Sequence, residues 1–431
     1  MNLIDDAISN PDPYYIKSVT EFSASRDVVT SADIYSSTGI KLVAKGTHID
    51  SSFYDKLVRH KLTESPIDRS LSVKDAVTPE DIERDALALL DADTQLSLMA
   101  DALPNSGVLH NTLAKIHLND TLAFKLTLAR ETRPKLYRHS VRVALISLYL
   151  GARLKLDAES MITLATAAMF HDLGELHIDP ALFEGDRQLE QKERQYIYVH
   201  PMIMYLILKE YPEYHPAASE AVLDHHERLD GSGYPRNLEG GSISALSQIL
   251  AVAEVAGSLC GRVESDACAY VEVVLKLNSS QFRNDLVGFL AAIARQGNTG
   301  AAGDVEPDLA SIRFGLQKID RILAAWDAAY LPYRDTESPV YLSYIQTRLT
   351  SLRKGLFGAG FNLGGQDAMI QGIEADPVSL SELRLLVRET CWQINGVVYE
   401  TRRRWPEIAQ RAAAADMALN AWAEQVQTLL G

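Results

Sequence analysis

The chain has 431 residues, more than one hydrophobic core usually holds, so two or three domains are expected. Apolar residues make up 47% and charged residues 23%, a globular balance that excludes a disordered chain. The formal net charge of −15 argues against a nucleic-acid polymer as partner, because gripping a phosphate backbone needs clustered cations.

No run approaches the ~18 apolar residues of a membrane span, so membrane insertion is not expected. The acidic, polar start MNLIDDAISNPDPYY is unlike a signal peptide, and a cytoplasmic location is the expectation. Cys260, Cys268 and Cys391 are odd in number and lack CxxC spacing, which points to small core residues rather than disulfides or a thiolate zinc site.

The predicted fold is mainly α. Residues 1–77 read as a small α+β module, with strand-like runs VVTSADIY and IKLVAKGTHI around the turn Ser36-Ser37-Thr38-Gly39, then a helical stretch SSFYDKLVRHKL. Thr78 is a predicted N-cap with Pro79 at the first helical position, and it opens a helical domain expected over 78–294. Residues 295–308, RQGNTGAAGDVEPD, read as a Gly-rich linker. Beyond it, over 309–431, four apolar stripes begin at Leu309, Leu342, Leu383 and Ile408 and predict a four-helix bundle that can support a homodimer. Arg402, Arg403 and Arg404 fit a helix C-terminus, where cations complement the dipole.

Seven of the eleven histidines lie between His139 and His226, in company with carboxylates. His171-Asp172 follows the apolar helical run MITLATAAMF, and His225-His226 closes the run SEAVLDHH. Adjacent residues at a helix end diverge by about 100°, so one can bind an ion while its neighbour reaches a second or bridges both. Imidazole and carboxylate without cysteine suit zinc, iron or manganese. His139, His171, Asp172, His200, His225 and His226 form the predicted metal set, whereas His48, His60, His110, His117, His177 and His215 read as structural.

The segment from about Tyr137 to Leu259 resembles the HD-GYP domain, a branch of the HD-type metal-dependent phosphohydrolases. Tyr137-Arg138-His139-Ser140, Phe170-His171-Asp172-Leu173-Gly174, His200-Pro201 and the run from His225 to Pro235, HHERLDGSGYP, carry the likeness. Ile249 to Glu254, ILAVAE, aligns with the helix that supplies a further ligand, and the N-terminal module is similar to a small domain that precedes some HD-GYP domains.

The resemblance implies a helical core around two or three divalent ions, iron or manganese, that hydrolyses cyclic di-GMP to the linear dinucleotide or GMP through a metal-bound hydroxide. Transferred by residue, the ligands are His139, His171, Asp172, His200, His225, His226 and Glu254, with His171 and Asp172 at the catalytic centre and Asp172 bridging. Gly231, Gly233, Tyr234, Pro235 and Arg236 are candidates for substrate contact or loop rigidity, and the Gly231–Pro235 loop is a candidate surface for a protein partner. Asp230 reads as a residue that holds the loop.

Three departures stand out. Glu175 occupies the place where the family carries a phosphate-contacting lysine. Glu254 replaces an aspartate; glutamate can still bind a metal, but its carboxylate arrives about 1.5 Å displaced unless the backbone compensates, which puts one ion at risk. Arg262, among acids, stands near where the family carries a cationic cluster. Three functions remain open: a cyclic di-GMP phosphodiesterase, a degenerate module that senses nucleotide or docks a partner, and a phosphohydrolase for another nucleotide.

Overall fold

A computed structural model describes residues 13–35, 40–49, 70–183, 191–260, 267–278, 280–297, 308–334, 338–359, 361, 366–374, 376–411 and 413–430. The predicted helix over 51–62, His60, the turn 36–39, Arg262 and most of the 295–308 linker lie outside these residues. The chain divides into two compact units, Met1–Gly261 and Arg262–Gly431.

The first unit opens with helix α1 (Pro13–Ser23) and four short strands, β1 (Val28–Thr30), β2 (Ile34–Tyr35), β3 (Lys41–Val43) and β4 (Leu71–Val73). They form two antiparallel pairs, β1 with β4 and β2 with β3, and Val28 faces Val73 across the first. Helices then take over: α2 (Pro79–Ala92), α3 (Thr94–Asp101), α4 (Gly107–Leu113), α5 (Asp120–Thr132), α6 (Pro134–Arg153) and α7 (Ala158–Phe170). Thr78 caps α2 in a capping box with Asp81, and Pro79 takes the first turn, where its missing N–H costs nothing.

A 3-10 turn (Leu173–His177) follows α7, and α8 (Gln191–Ile197), α9 (His200–Lys209), α10 (Pro216–Asp224) and α11 (Ala245–Cys260) complete the unit. Helix α7 is apolar on nearly every side and is buried from Thr163 to Phe170, as a helix without a polar face must be. It packs against α6 and α10, and α6 packs against α11. Gly257 makes that last approach close: a Cβ there would lie 2.7 Å from Val143 Cγ2.

The N-terminal module is tied into this helical core. Tyr15 of α1 stacks on His177 with ring centroids 4.5 Å apart. Fully buried Lys125 sits below, its Nζ 3.9 Å from the Tyr15 ring centre and 3.1 Å from His177 Nε2. A buried ammonium needs such polar and π partners to offset its lost hydration.

The second unit contains α12 (Ala267–Leu277), α13 (Asn284–Gly297), α14 (Leu309–Tyr330), α15 (Val340–Gly358), α16 (Gln366–Ile373), α17 (Pro377–Arg404) and α18 (Ala414–Leu430). The predicted stripe on α14 is buried at Ile312, Leu316, Ile319, Leu323 and Trp326. Two features differ from a four-helix bundle over 309–431. Helices α12 and α13, expected in the central domain, belong to this unit, where buried Glu389 of α17 accepts hydrogen bonds from Tyr270 Oη (3.0 Å) and Asn278 Nδ2 (3.3 Å). The last stripe is also interrupted: Pro406 starts a 3-10 turn holding Ile408, and the helix resumes only at Ala414.

Candidate metal centre

Each predicted ligand sits where a helix begins or ends, or where two helices touch. Asp157 caps α7 by accepting the Ser160 N–H at 2.8 Å, and the helix runs to Phe170, which leaves His171 at its C-cap and Asp172 one residue beyond. His225 is likewise the C-cap of α10, followed by His226. His200 starts α9, His139 lies on α6 and Glu254 on α11.

These seven residues converge on one buried pocket. His139, His171, Asp172 and Glu254 form one group whose ligand atoms all lie within 4.8 Å of one another, and Asp172, His200, His225 and His226 form a second. Asp172 belongs to both because its two oxygens face opposite ways. Oδ2 lies 3.1 Å from His171 Nε2 and 3.5 Å from His139 Nε2. Oδ1 lies 3.2 Å from His200 Nε2 and 3.4 Å from His225 Nε2.

The donor chemistry fits metal ions. Ligands at right angles about an ion ~2.1 Å away are about 3.0 Å apart, close to the separations around Asp172. His171, His200 and His225 each direct Nδ1 at the carbonyl oxygen three residues back, of Ala168 (2.8 Å), Ile197 (2.7 Å) and Val222 (2.6 Å). Donating there places the Nε2 lone pair on the pocket side and fixes the ring. Glu254 Oε2 reaches 2.7 Å from His139 Nε2 and 3.1 Å from His171 Nε2, while Ser258 Oγ donates to Oε1 at 2.9 Å. The helix spacing of α6 and α11 accommodates the extra methylene, so the carboxylate is not displaced from the ligand set as its length suggested.

The two halves differ in charge. Burial opposes ionisation of Asp172, but His171, His200 and His225 hold its carboxyl well below the usual carboxylate range. Burial likewise opposes the charge on Glu254, and His139 and His171 overcome it. The imidazole of His171 is held well above its ordinary value, and that of His139 is also raised, because Asp172 and Glu254 outweigh burial. In the other half, burial and neighbouring imidazoles push His225 down to about 4 and His226 well below its ordinary value.

The glycines of the motifs serve close approach. A Cβ on Gly174 would lie 2.9 Å from the His200 carbonyl carbon and closer still to its oxygen, so only glycine lets the turn after Asp172 meet the start of α9. A Cβ on Gly233 would lie 2.5 Å from both Arg228 N and His226 O, and Tyr234 N donates back to His226 O at 3.2 Å. Gly231 adopts φ +71°, the left-handed region glycine favours. Pro235 then turns the chain toward Glu227, whose buried carboxylate accepts the backbone N–H groups of Arg236 (2.6 Å) and Leu238 (2.9 Å). Asp230 Oδ1 accepts from Ser232 N at 3.1 Å, a loop-holding contact.

Arg236 directs its guanidinium at Asp224 (Nε to Oδ1, 3.0 Å) and Glu220 (3.1 Å), which pins the loop to α10. Histidines read as structural are engaged elsewhere: His110 with Glu83 (2.8 Å), His48 with Asp27 (2.6 Å) and His215 as the N-cap of α10. Three supporting residues escaped the sequence reading. Arg133 donates to the carbonyls of Glu175 (2.7 Å) and Ile178 (3.0 Å) and so braces the turn behind Asp172. Ser258 stands one helical turn from Glu254 and was legible by that spacing. Tyr198 is the third.

Comparison with known proteins agrees with this geometry. A family model described as an HD domain matches residues 126–281. The chain is 33% identical over 120 residues to 3'3'-cGAMP-specific phosphodiesterase 1 of Vibrio cholerae serotype O1, covering 28% of this chain and 27% of the relative. It is 31% identical over 121 residues to 3'3'-cGAMP-specific phosphodiesterase 3 of the same organism, covering 28% and 26%. Against cyclic di-GMP phosphodiesterase PdeB of Borreliella burgdorferi it is 31% identical over 115 residues, covering 27% and 30%. The matched segment thus spans less than a third of each relative. With its motifs assembled as described, this segment is an HD domain and belongs to the HD-GYP family.

Proposed function

We propose that the chain is a metal-dependent phosphodiesterase that opens cyclic di-GMP to the linear dinucleotide or GMP, with iron or manganese as its ions. The observation that carries this reading is the division of one buried carboxylate, Asp172, between two ligand sets. Two ions so placed would supply an activated water near neutral pH and take up charge on the phosphate and leaving oxygens. The chain's own part would be to hold them in register: Asp172 would be shared by both, with His139, His171 and Glu254 holding one and His200, His225 and His226 the other. The names of the matched relatives, cyclic di-GMP and 3'3'-cGAMP phosphodiesterases, support a cyclic dinucleotide as substrate.

Glu175 favours a second reading, a module that binds a nucleotide or partner without turnover. Burial and the charges of Asp172 and Glu254, opposed by Arg133, push its carboxyl well above the usual range. An acid close to the pocket offers a phosphate no attraction where a lysine would.

Anaerobic purification, metal analysis and turnover of both cyclic dinucleotides separate the readings. Hydrolysis predicts about two ions per chain and turnover that Asp172→Ala abolishes. Metal-replete protein without turnover of either compound rejects hydrolysis of cyclic dinucleotides.

A further inference from the structure

Three histidine ligands, His171, His200 and His225, have backbone carbonyl partners that set the ring. Among the described residues, no side-chain hydrogen bond holds His226. Its ring is set by stacking instead: Tyr234 lies over it with centroids 4.6 Å apart and planes 21° from parallel. Tyr198 covers the other face of Tyr234 at 4.0 Å and 22°. The three rings form a column. Its outer end stands two residues before the ligand His200, in the connection between α8 and α9, and its inner end is the ligand His226, whose ring meets that of His200 edge-on at 5.1 Å.

We propose that Tyr198 is a positioning residue for the half of the metal centre made by Asp172, His200, His225 and His226, clamping Tyr234 onto the His226 imidazole. This rests on the two-ion reading of the site. The column does for His226 what the carbonyls do for the other rings: it removes rotational freedom that an ion would otherwise have to remove on binding. It also links two ligands that arrive on separate elements, because Tyr198 lies two residues before His200 and Tyr234 N donates to His226 O. The chain geometry supports the coupling. Gly233 lies on the backbone of residues 226–228, which holds the chain that carries Tyr234 against the segment that carries His226.

Binding of Mn2+ to the ion-free full chain, followed by calorimetry, tests this directly. Wild type should show two binding events, and His226→Ala identifies the one that belongs to this half by weakening it. Tyr198→Ala should weaken the same event by about tenfold and leave the other within about twofold. Tyr198→Phe, which keeps the ring, should match wild type, and Tyr198→Ala with His226→Ala should lose no more than His226→Ala alone. If Tyr198→Ala does not fold, Tyr198→Leu takes its place with the same expectation. Unchanged affinity in Tyr198→Ala, equal weakening of both events, or a Tyr198→Phe protein as impaired as Tyr198→Ala overturns the proposal while the two-ion reading stands. Wild-type protein that binds no Mn2+ overturns both.

Discussion

Gly174→Ala should dismantle half of the metal centre without replacing a ligand. The added Cβ would meet the carbonyl carbon of His200 at 2.9 Å, where carbon atoms rest at about 3.5–4.0 Å, and its oxygen closer still, so the start of α9 must retreat by at least roughly 0.6–1 Å. His200 is the first residue of that helix and its Nε2 lies 3.2 Å from Asp172 Oδ1. A shift of that size exceeds the tolerance of about 0.2 Å on a metal–ligand distance severalfold. Overpacking of this kind also costs about 1–3 kcal/mol of stability, so the ion-free protein should melt earlier as well. The assay is metal content after dialysis against a graded chelator, paired with thermal melting of the ion-free protein. Gly174→Ala that keeps two ions at wild-type affinity would refute the claim that this close approach sets the position of His200.

The two halves of the centre should also respond differently to pH. His139 and His171 have raised proton affinity beside Asp172 and Glu254, so an ion entering that half must displace protons and should bind more tightly as pH rises. His225, pushed down to about 4, and His226, pushed well below its ordinary value, carry no proton for an ion to displace at pH 7, so the affinity of their half should rise less steeply with pH. Mn2+ titrations between about pH 6 and 8.5, in buffers of different ionisation enthalpy, check this through the protons released; equal slopes for both events would contradict it. Glu254→Asp should weaken the half that contains His139, because shortening the side chain by about 1.5 Å withdraws Oε2 from contacts of 2.7 and 3.1 Å. The same titration reads it, and unchanged affinity would show that α11 can move to compensate.

The candidate ligands were legible because metal binding demands particular side chains, and two of the pairs, His171-Asp172 and His225-His226, are adjacent in sequence at helix ends. The capping of α2 by Thr78 and the stripe of α14 were equally readable, since both are local. What could not be read depends on contacts between distant segments. The reach of Glu254 is set by how closely α6 and α11 approach at Gly257. The membership of α12 and α13 in the second unit involves Glu389, more than 100 residues away from Tyr270. Tyr198 has no periodic signal at all: its partner Tyr234 follows 36 residues later, and only folding brings the rings together.

The central claim is that Asp172 joins two ions. Anomalous scattering from crystals of anaerobically prepared protein, collected at the iron and manganese edges, tests it most directly. The account predicts two peaks about 3.5–4 Å apart, one on either side of the Asp172 carboxylate. A single peak, or peaks away from Asp172, would contradict it.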